Sequence, residues 1–141
     1  MKIKKFKILV GFLLLFGIGI FYLLNLYNKP LLNIKKSNAD ISISAQQLLD
    51  DYQKDETSSN KKYINNVIQV SGEISDIKVD NGNSVIILKD VNGQSSVMCH
   101  MSPEDNLNTL KLKKNDKIVV KGMCTGYLLD VIIVRCVLVN K

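Results

Sequence analysis

Hydrophobic and polar positions along this chain fall into three regimes. Residues 8–28, ILVGFLLLFGIGIFYLLNLYN, are twenty-one positions without a charge and without a polar stripe. At 1.5 Å per residue a helix over them reaches roughly 31 Å, about the thickness of a bilayer's hydrocarbon core. From Ser44 the period turns helical. Ala45, Leu48, Leu49 and Tyr52 recur behind a Ser44/Gln47 capping-box pattern and predict a helix to about Lys54. A polar patch, Asp55 to Lys62, breaks that helix or leads into a short turn ending at Tyr63.

From Val67 the period is two. Ile68, Val70 and Ile74 share one face, and then the pattern slips by one residue so that Ile77 and Val79 take it over. A β-bulge produces such a slip, and Gly72 eases the coiling of a long strand. Asp80-Asn81-Gly82-Asn83 is a hairpin signal, and Asn92-Gly93 marks a second tight turn. Further strands are predicted over 84–90, 94–101, 117–125 and 130–139. Between the third and fourth, Ser102-Pro103-Glu104-Asp105 starts a short helix whose apolar side is Leu107, Leu110 and Leu112. Helix, three strands, short helix, two strands: the order predicts a mainly β (α+β) fold. It fits a five-stranded OB-type Greek-key barrel preceded by a short helix, with a separate N-terminal transmembrane helix. A plain β-sandwich is the alternative and usually has more strands.

The uncharged run has two readings. A cleaved signal peptide has a shorter apolar core that ends near a small-x-small site. Here the core ends in Leu-Tyr-Asn-Lys-Pro, and Ser37-Asn38-Ala39 lies beyond three lysines, which favours an uncleaved anchor. Lys2, Lys4, Lys5 and Lys7 crowd its front, while Lys29, Lys35 and Lys36 are spread behind it. The positive-inside bias therefore places the N-terminus in the cytoplasm and the rest outside it. The expected division is a basic cytoplasmic tail (1–7), an anchor (8–28), a juxtamembrane linker (29–43) and one domain (44–141).

Charge changes the picture by its location. The formal net charge is +6, yet seven of the nineteen basic residues lie in the first 36 positions, where no acidic residue stands. From Ser37 onward twelve basic residues meet thirteen acidic ones, so the basic balance is not evidence for a phosphate-binding domain. All four phenylalanines, with Tyr22 and Tyr27, belong to the anchor region. The domain keeps Tyr52, Tyr63 and Tyr127 and has no tryptophan.

Cys99, Cys124 and Cys136 are an odd number. With Arg135 pointing to solvent, Ile132, Val134, Cys136 and Leu138 turn inward; with Lys121 outward, so do Ile118, Val120 and Cys124. A hairpin centred on Asp130 then sets Cys124 opposite Cys136. Oxidised, that pair closes a loop worth roughly 3 kcal/mol. The alternatives are three buried free thiols, or Cys99 as the rival partner of Cys136. His100 adjoins Cys99, but strand neighbours point to opposite faces, and no Cys-x-x-Cys pair is present. No metal, cofactor or catalytic residue is expected. Asp50-Asp51 and Glu104-Asp105 read as solvated helix faces and helix-start electrostatics.

With these residues laid out, positions 42–140 resemble the tRNA_anti-like family of OB-fold proteins. The resemblance rests on the helix with Leu48, Leu49 and Tyr52, on Tyr63 before Val67-Ile-Gln-Val-Ser-Gly72, and on Val97-Met-Cys99. Gly122-Met-Cys124-Thr-Gly126 followed by Arg135-Cys136-Val-Leu138 is its most specific part. It implies the OB fold, a place behind a signal or membrane anchor, and a nucleic-acid role.

A single-strand-binding surface combines a basic groove with aromatic platforms. The outward candidates on the second and third strands are Lys89, Ser96, Met98 and His100, one cation and no aromatic. Lys111, Lys113, Lys114, Lys117 and Lys121 cluster elsewhere and read as a solvated turn. The expected function is therefore a membrane-anchored extracytoplasmic binding module. Its ligand, an oligosaccharide, peptide or nucleic acid, is not read from the residues. The alternative is an assembly protein that docks on another envelope protein.

Overall fold

The computed structural model describes residues 2–27, 33–91 and 93–140. The chain divides into two units, Met1–Leu32 and Asn33–Lys141. The first contains α1 (Lys2–Tyr27), whose described side chains, at Gly11 and residues 13–26, are all exposed. Among the described residues no helix is long and apolar enough to cross a membrane. Asn28, the end of the expected span, lies outside the described residues, as do positions 29–32 of the expected linker.

The second unit begins earlier than the periodicity indicated. From Asn33 the expected linker is structured: Ile34 is buried, and β1 (Ile41–Ser44) pairs in parallel with the start of β2 (Val67–Asp80). Ile-Ser-Ile-Ser does alternate, but what holds it as a strand is a partner far along the chain, in β2. Ser44 ends it and caps α2 (Ala45–Lys54), its hydroxyl accepting from the Gln47 amide at 3.2 Å. The four apolar residues of α2 are all buried. Asp55 caps α3 (Glu56–Tyr63), so the polar patch is a second helix, held by its cap and by burial of Tyr63.

β2 is fourteen residues long and serves two partnerships. Its first half pairs with β1 and with β5 (Lys117–Tyr127), and its second half with β3 (Asn83–Leu88). The register shifts between Ile74 and Asp76, placing the expected bulge at Ser75. Asn81 and Gly82 both have positive φ, the conformation that a two-residue hairpin turn requires. β4 (Val97–Met101) follows, then a 3-10 turn (Pro103–Asp105) and the one-turn α4 (Asn106–Thr109). β6 (Val131–Asn140) pairs antiparallel with β5 and parallel with β4. The order β1-β2-β3-β4-β6-β5, closed by β2 on β5, is a five-stranded barrel of the OB type with β1 added outside the closure. Leu48, Leu49, Tyr52 and Tyr63 plug its interior together with Ile68, Val70, Ile74 and Leu88.

Several expectations need correction. Arg135 does not simply point to solvent. It is half-buried with φ +54°, at an irregularity of β6, and its Nη2 donates to Met123 Sδ at 3.1 Å. The extra residue reverses the alternation, so Val131, Ile133 and Cys136 face the core while Ile132 and Val134 do not. The same shifts set Cys124 opposite Ile133 instead of Cys136, and all three cysteines are free thiols.

The short helix also differs. Leu107 and Leu110 are exposed, and Leu112, Thr109 and Asp105 are the buried residues. Asp105 is therefore no solvated carboxylate: it accepts from the Leu138 amide at 2.8 Å and so ties the turn to β6. Of the basic cluster, Lys111, Lys113, Lys114 and Lys117 are solvated as expected. Lys121 is not, because its Nζ donates to the carbonyls of Ser37 (2.7 Å) and Lys35 (3.3 Å).

Candidate binding face

Strand pairing builds an outward row across four strands, apolar on three of them. Asp76 lies beside Ile87, Ile87 beside Met98, and Met98 beside Ile132. A second row runs Lys78, Val85, His100. Val85, Ile87, Met98 and Ile132 are half-buried, while Asp76, Lys78 and His100 are exposed. The sheet face through the second and third barrel strands is where OB folds take ligands. Met98 and His100 stand there as the sequence indicated. Val85 and Ile87 were missed because Val85-Ile86-Ile87-Leu88 is apolar on both sides and shows no alternation.

The other two expected members serve the fold. Ser96 donates from both its amide (2.7 Å) and its hydroxyl (2.8 Å) to Asp130 Oδ1, locking the starts of β4 and β6 together. Lys89 meets Glu73 at 3.4 Å.

The opposite outer surface is differently finished. Ile34, Val67, Val137 and Met123 form a small cluster on the outer side of β2, β5 and β6. Segment 33–40 lies over it, held by the two Lys121 bonds and by Asp40, which accepts from the Val67 amide at 2.9 Å. A shallow hollow of about 330 Å³ opens beside β2 and β5, lined by Ser71, Gly72, Glu73, Lys117, Ile118 and Val119. Its two charges oppose each other in the strand register, and no histidine, cysteine or aromatic lines it.

The domain's three tyrosines gather at one place, and it is not the outward face. Tyr52 stacks on Tyr127 with centroids 5.3 Å apart and lies 5.8 Å from Tyr63. The Tyr52 hydroxyl meets Cys124 Sγ at 3.6 Å, and burial raises both groups' pKa values. Tyr63 donates to Asp51, which also receives Lys62 at 3.1 Å. The Tyr63 hydrogen bond, then Lys62, hold the Asp51 carboxyl below its ordinary range, with partial burial opposing them. Cys136 is wholly buried and its pKa is raised, first by burial and then by the neighbouring Cys99 thiol. Among the described residues no group of three or more histidine, cysteine or carboxylate side chains is placed to hold a metal ion. Cys99 points inward and His100 outward.

A closed barrel with this strand order, an apolar outward face and a helical plug defines an OB-type domain. The chain belongs to the tRNA_anti-like family, whose model matches residues 1–138. No curated protein sequence matches it. Among solved structures it is similar to one from Klebsiella pneumoniae described as a "putative nucleic acid-binding lipoprotein". That likeness has 12% identity, 74% of this chain against 100% of the other, and a TM-score of 0.61. It is also similar to an OBody bound to hen egg-white lysozyme (17% identity, 57% of this chain and 85% of the other, TM-score 0.46). The Schizosaccharomyces pombe Stn1–Ten1 complex gives 16% identity, 53% and 59% coverage, and a TM-score of 0.43. The first likeness shows the fold; the other two are too partial to add to it.

Proposed function

We propose that this chain is a membrane-anchored, extracytoplasmic binding module without catalytic activity, and that a polypeptide partner sits on the outward face of β2, β3 and β4. One observation carries the choice of ligand. The face has an apolar centre of Val85, Ile87, Met98 and Ile132, while the domain's tyrosines lie in the plug (Tyr52, Tyr63) or stack against it (Tyr127). Bases and sugar rings call for aromatic platforms; half-buried aliphatic rows rimmed by Lys78, Asp76 and His100 suit side chains of another protein. The anchor is supported by the uncharged run of residues 8–28 and by exposed apolar side chains from Leu13 to Leu26 on α1. The outward side is supported by the lysine bias around that run.

A nucleic-acid ligand is the second reading, favoured by the family and by the described role of the Klebsiella protein. Retention of the detergent-solubilised full chain on immobilised single-stranded DNA and RNA, at rising salt, separates the two. The polypeptide reading expects no retention even at low salt. Strong retention that falls steeply with salt overturns it.

A further inference from the structure

The connection from β4 to β5 buries two polar residues and exposes two leucines. Asp105, Thr109 and Leu112, spaced four and three apart, face the barrel, while Leu107 and Leu110 are 75% and 67% exposed. An ordinary surface helix turns its apolar side the other way. Hydrogen bonds hold the arrangement in place. Asp105 accepts from the Leu138 amide at 2.8 Å, and Thr109 Oγ1 donates to the Asp105 carbonyl at 3.0 Å. Asn106 Oδ1 accepts from the Ser84 amide at 3.1 Å, which ties the same turn to β3. Both leucines are thus presented outward on a pinned backbone.

Positive charge accompanies them. Lys111, Lys113 and Lys114 follow directly, all exposed, and none is in an ion pair among the described residues. Lys117 lies opposite Glu73 in the strand register. Of the neighbouring carboxylates, Asp105 is engaged by Leu138 and Asp116 accepts from the Lys113 amide at 2.8 Å, which leaves Glu104 exposed. Exposed leucines edged by lysines suit an anionic lipid surface, where apolar side chains enter the headgroup boundary and ammonium groups meet phosphates. The core of a protein interface is depleted in lysine, and a nucleic acid has no use for the leucines.

The path of the chain favours the same surface. Ile34 clusters with Val137, and the next residue, Leu138, is the one that holds Asp105. Six peptide steps separate Tyr27, the end of α1, from Asn33 in sequence. An anchored chain therefore keeps Asn33 within about 20 Å of the bilayer. The other exposed leucine pair, Leu128 and Leu129, precedes the far end of β6. Val131 there lies seven residues from Leu138, about 23 Å along the strand.

We propose that this turn is a membrane-contact element: Leu107 and Leu110 enter the headgroup boundary of the bilayer that holds the chain, and Lys111, Lys113 and Lys114 bind the phosphates of its anionic lipids. The contact rests on the anchor proposed above, and not on which side of the membrane the barrel lies.

The chain has no tryptophan, so a single one introduced by Leu107→Trp, Leu110→Trp, Leu128→Trp or Phe16→Trp reports its own position. Each full-length variant is reconstituted into vesicles of phosphatidylcholine and phosphatidylglycerol whose acyl chains carry bromine at a chosen depth. Bromines in roughly the outer 10 Å of the leaflet should quench the fluorescence from positions 107 and 110 and leave position 128 unquenched. Position 16 should be quenched by deep bromines. Changing Lys111, Lys113 and Lys114 to Gln in the Leu110→Trp chain should weaken docking by roughly a hundredfold and abolish its quenching, as should leaving out phosphatidylglycerol. Quenching at 16 without quenching at 107 and 110 overturns the contact and leaves the anchor standing. No quenching at 16 removes the anchor and the contact that rests on it. Equal quenching at 128, or quenching at 110 that survives loss of the three charges, also overturns the contact. So does a protein crosslinked from position 110 in intact membranes.

Discussion

The barrel's outer surface has two apolar regions, one covered by the chain itself and one bare. Over β2, β5 and β6, the cluster of Val67, Val137 and Met123 receives Ile34, only 3% exposed, from the segment ahead of the barrel. Over β3 and β4, Val85, Ile87 and Met98 have no such cover among the described residues. The same sheet chemistry, a row of aliphatic side chains turned away from the core, is finished by the chain on one side and left open on the other. Apolar surface removed from water stabilises by about 25 cal/mol per Å². The covered region therefore contributes to folding, and the open one leaves that apolar surface in water, where the proposed partner would bury it.

Substitutions should separate the two regions, and the inner face sets the scale. Gly122→Val puts carbon where Ile133 Cγ2 stands 2.6 Å and Cys136 Sγ 2.7 Å away, so urea unfolding should show a loss of about 3 kcal/mol. Ile34→Ala uncovers the β5–β6 cluster and should cost about 2 kcal/mol, with hydrogen exchange speeding up in residues 33–44. Lys121→Met removes the two bonds to the carbonyls of Lys35 and Ser37 and should cost about 1 kcal/mol, loosening the same segment.

Acid comes next. Asp51 has its pKa lowered from 3.8 in the folded state, so its contribution is complete at neutral pH and is lost as pH falls through the depressed folded value. Tyr63→Phe deletes the largest cause and should narrow the gap in stability between neutral and acid buffer, seen by circular dichroism. The smallest change is expected at the open face. Ile87→Ser should shift stability by no more than about 0.5 kcal/mol while reducing partner capture. A loss as large as that from Ile34→Ala would mean that the two regions do not differ.

The barrel was legible where one rule governed a segment. The capping box and spacing of α2, the bulge of β2 and the Asn81-Gly82 turn each declared a period or a backbone need that no distant contact overrode. β6 was misread because its parity hung on Arg135, a charge taken to mark the solvent side. A positive φ has no signature in an arginine, and one irregular residue reverses every neighbour's direction. β1 and the seat of Ile34 were missed because their partners lie far along the chain, at Val67 and Val137. Leu107 and Leu110 misled in the opposite direction: a single-turn helix buried Asp105 and Thr109 in their place. The outward face was half visible, through Met98 and His100. Val85 and Ile87 were masked by a run apolar on both sides.

The open face over β3 and β4 is the proposed seat of a partner protein. A photo-crosslinking residue placed at Ile87 in the full-length chain, in intact membranes, probes that seat, with Leu110, exposed on the turn after α4, as the matched control. A discrete protein adduct is expected from position 87 and none from position 110. Equal adducts from both, or none from 87 while 110 captures a partner, would contradict it.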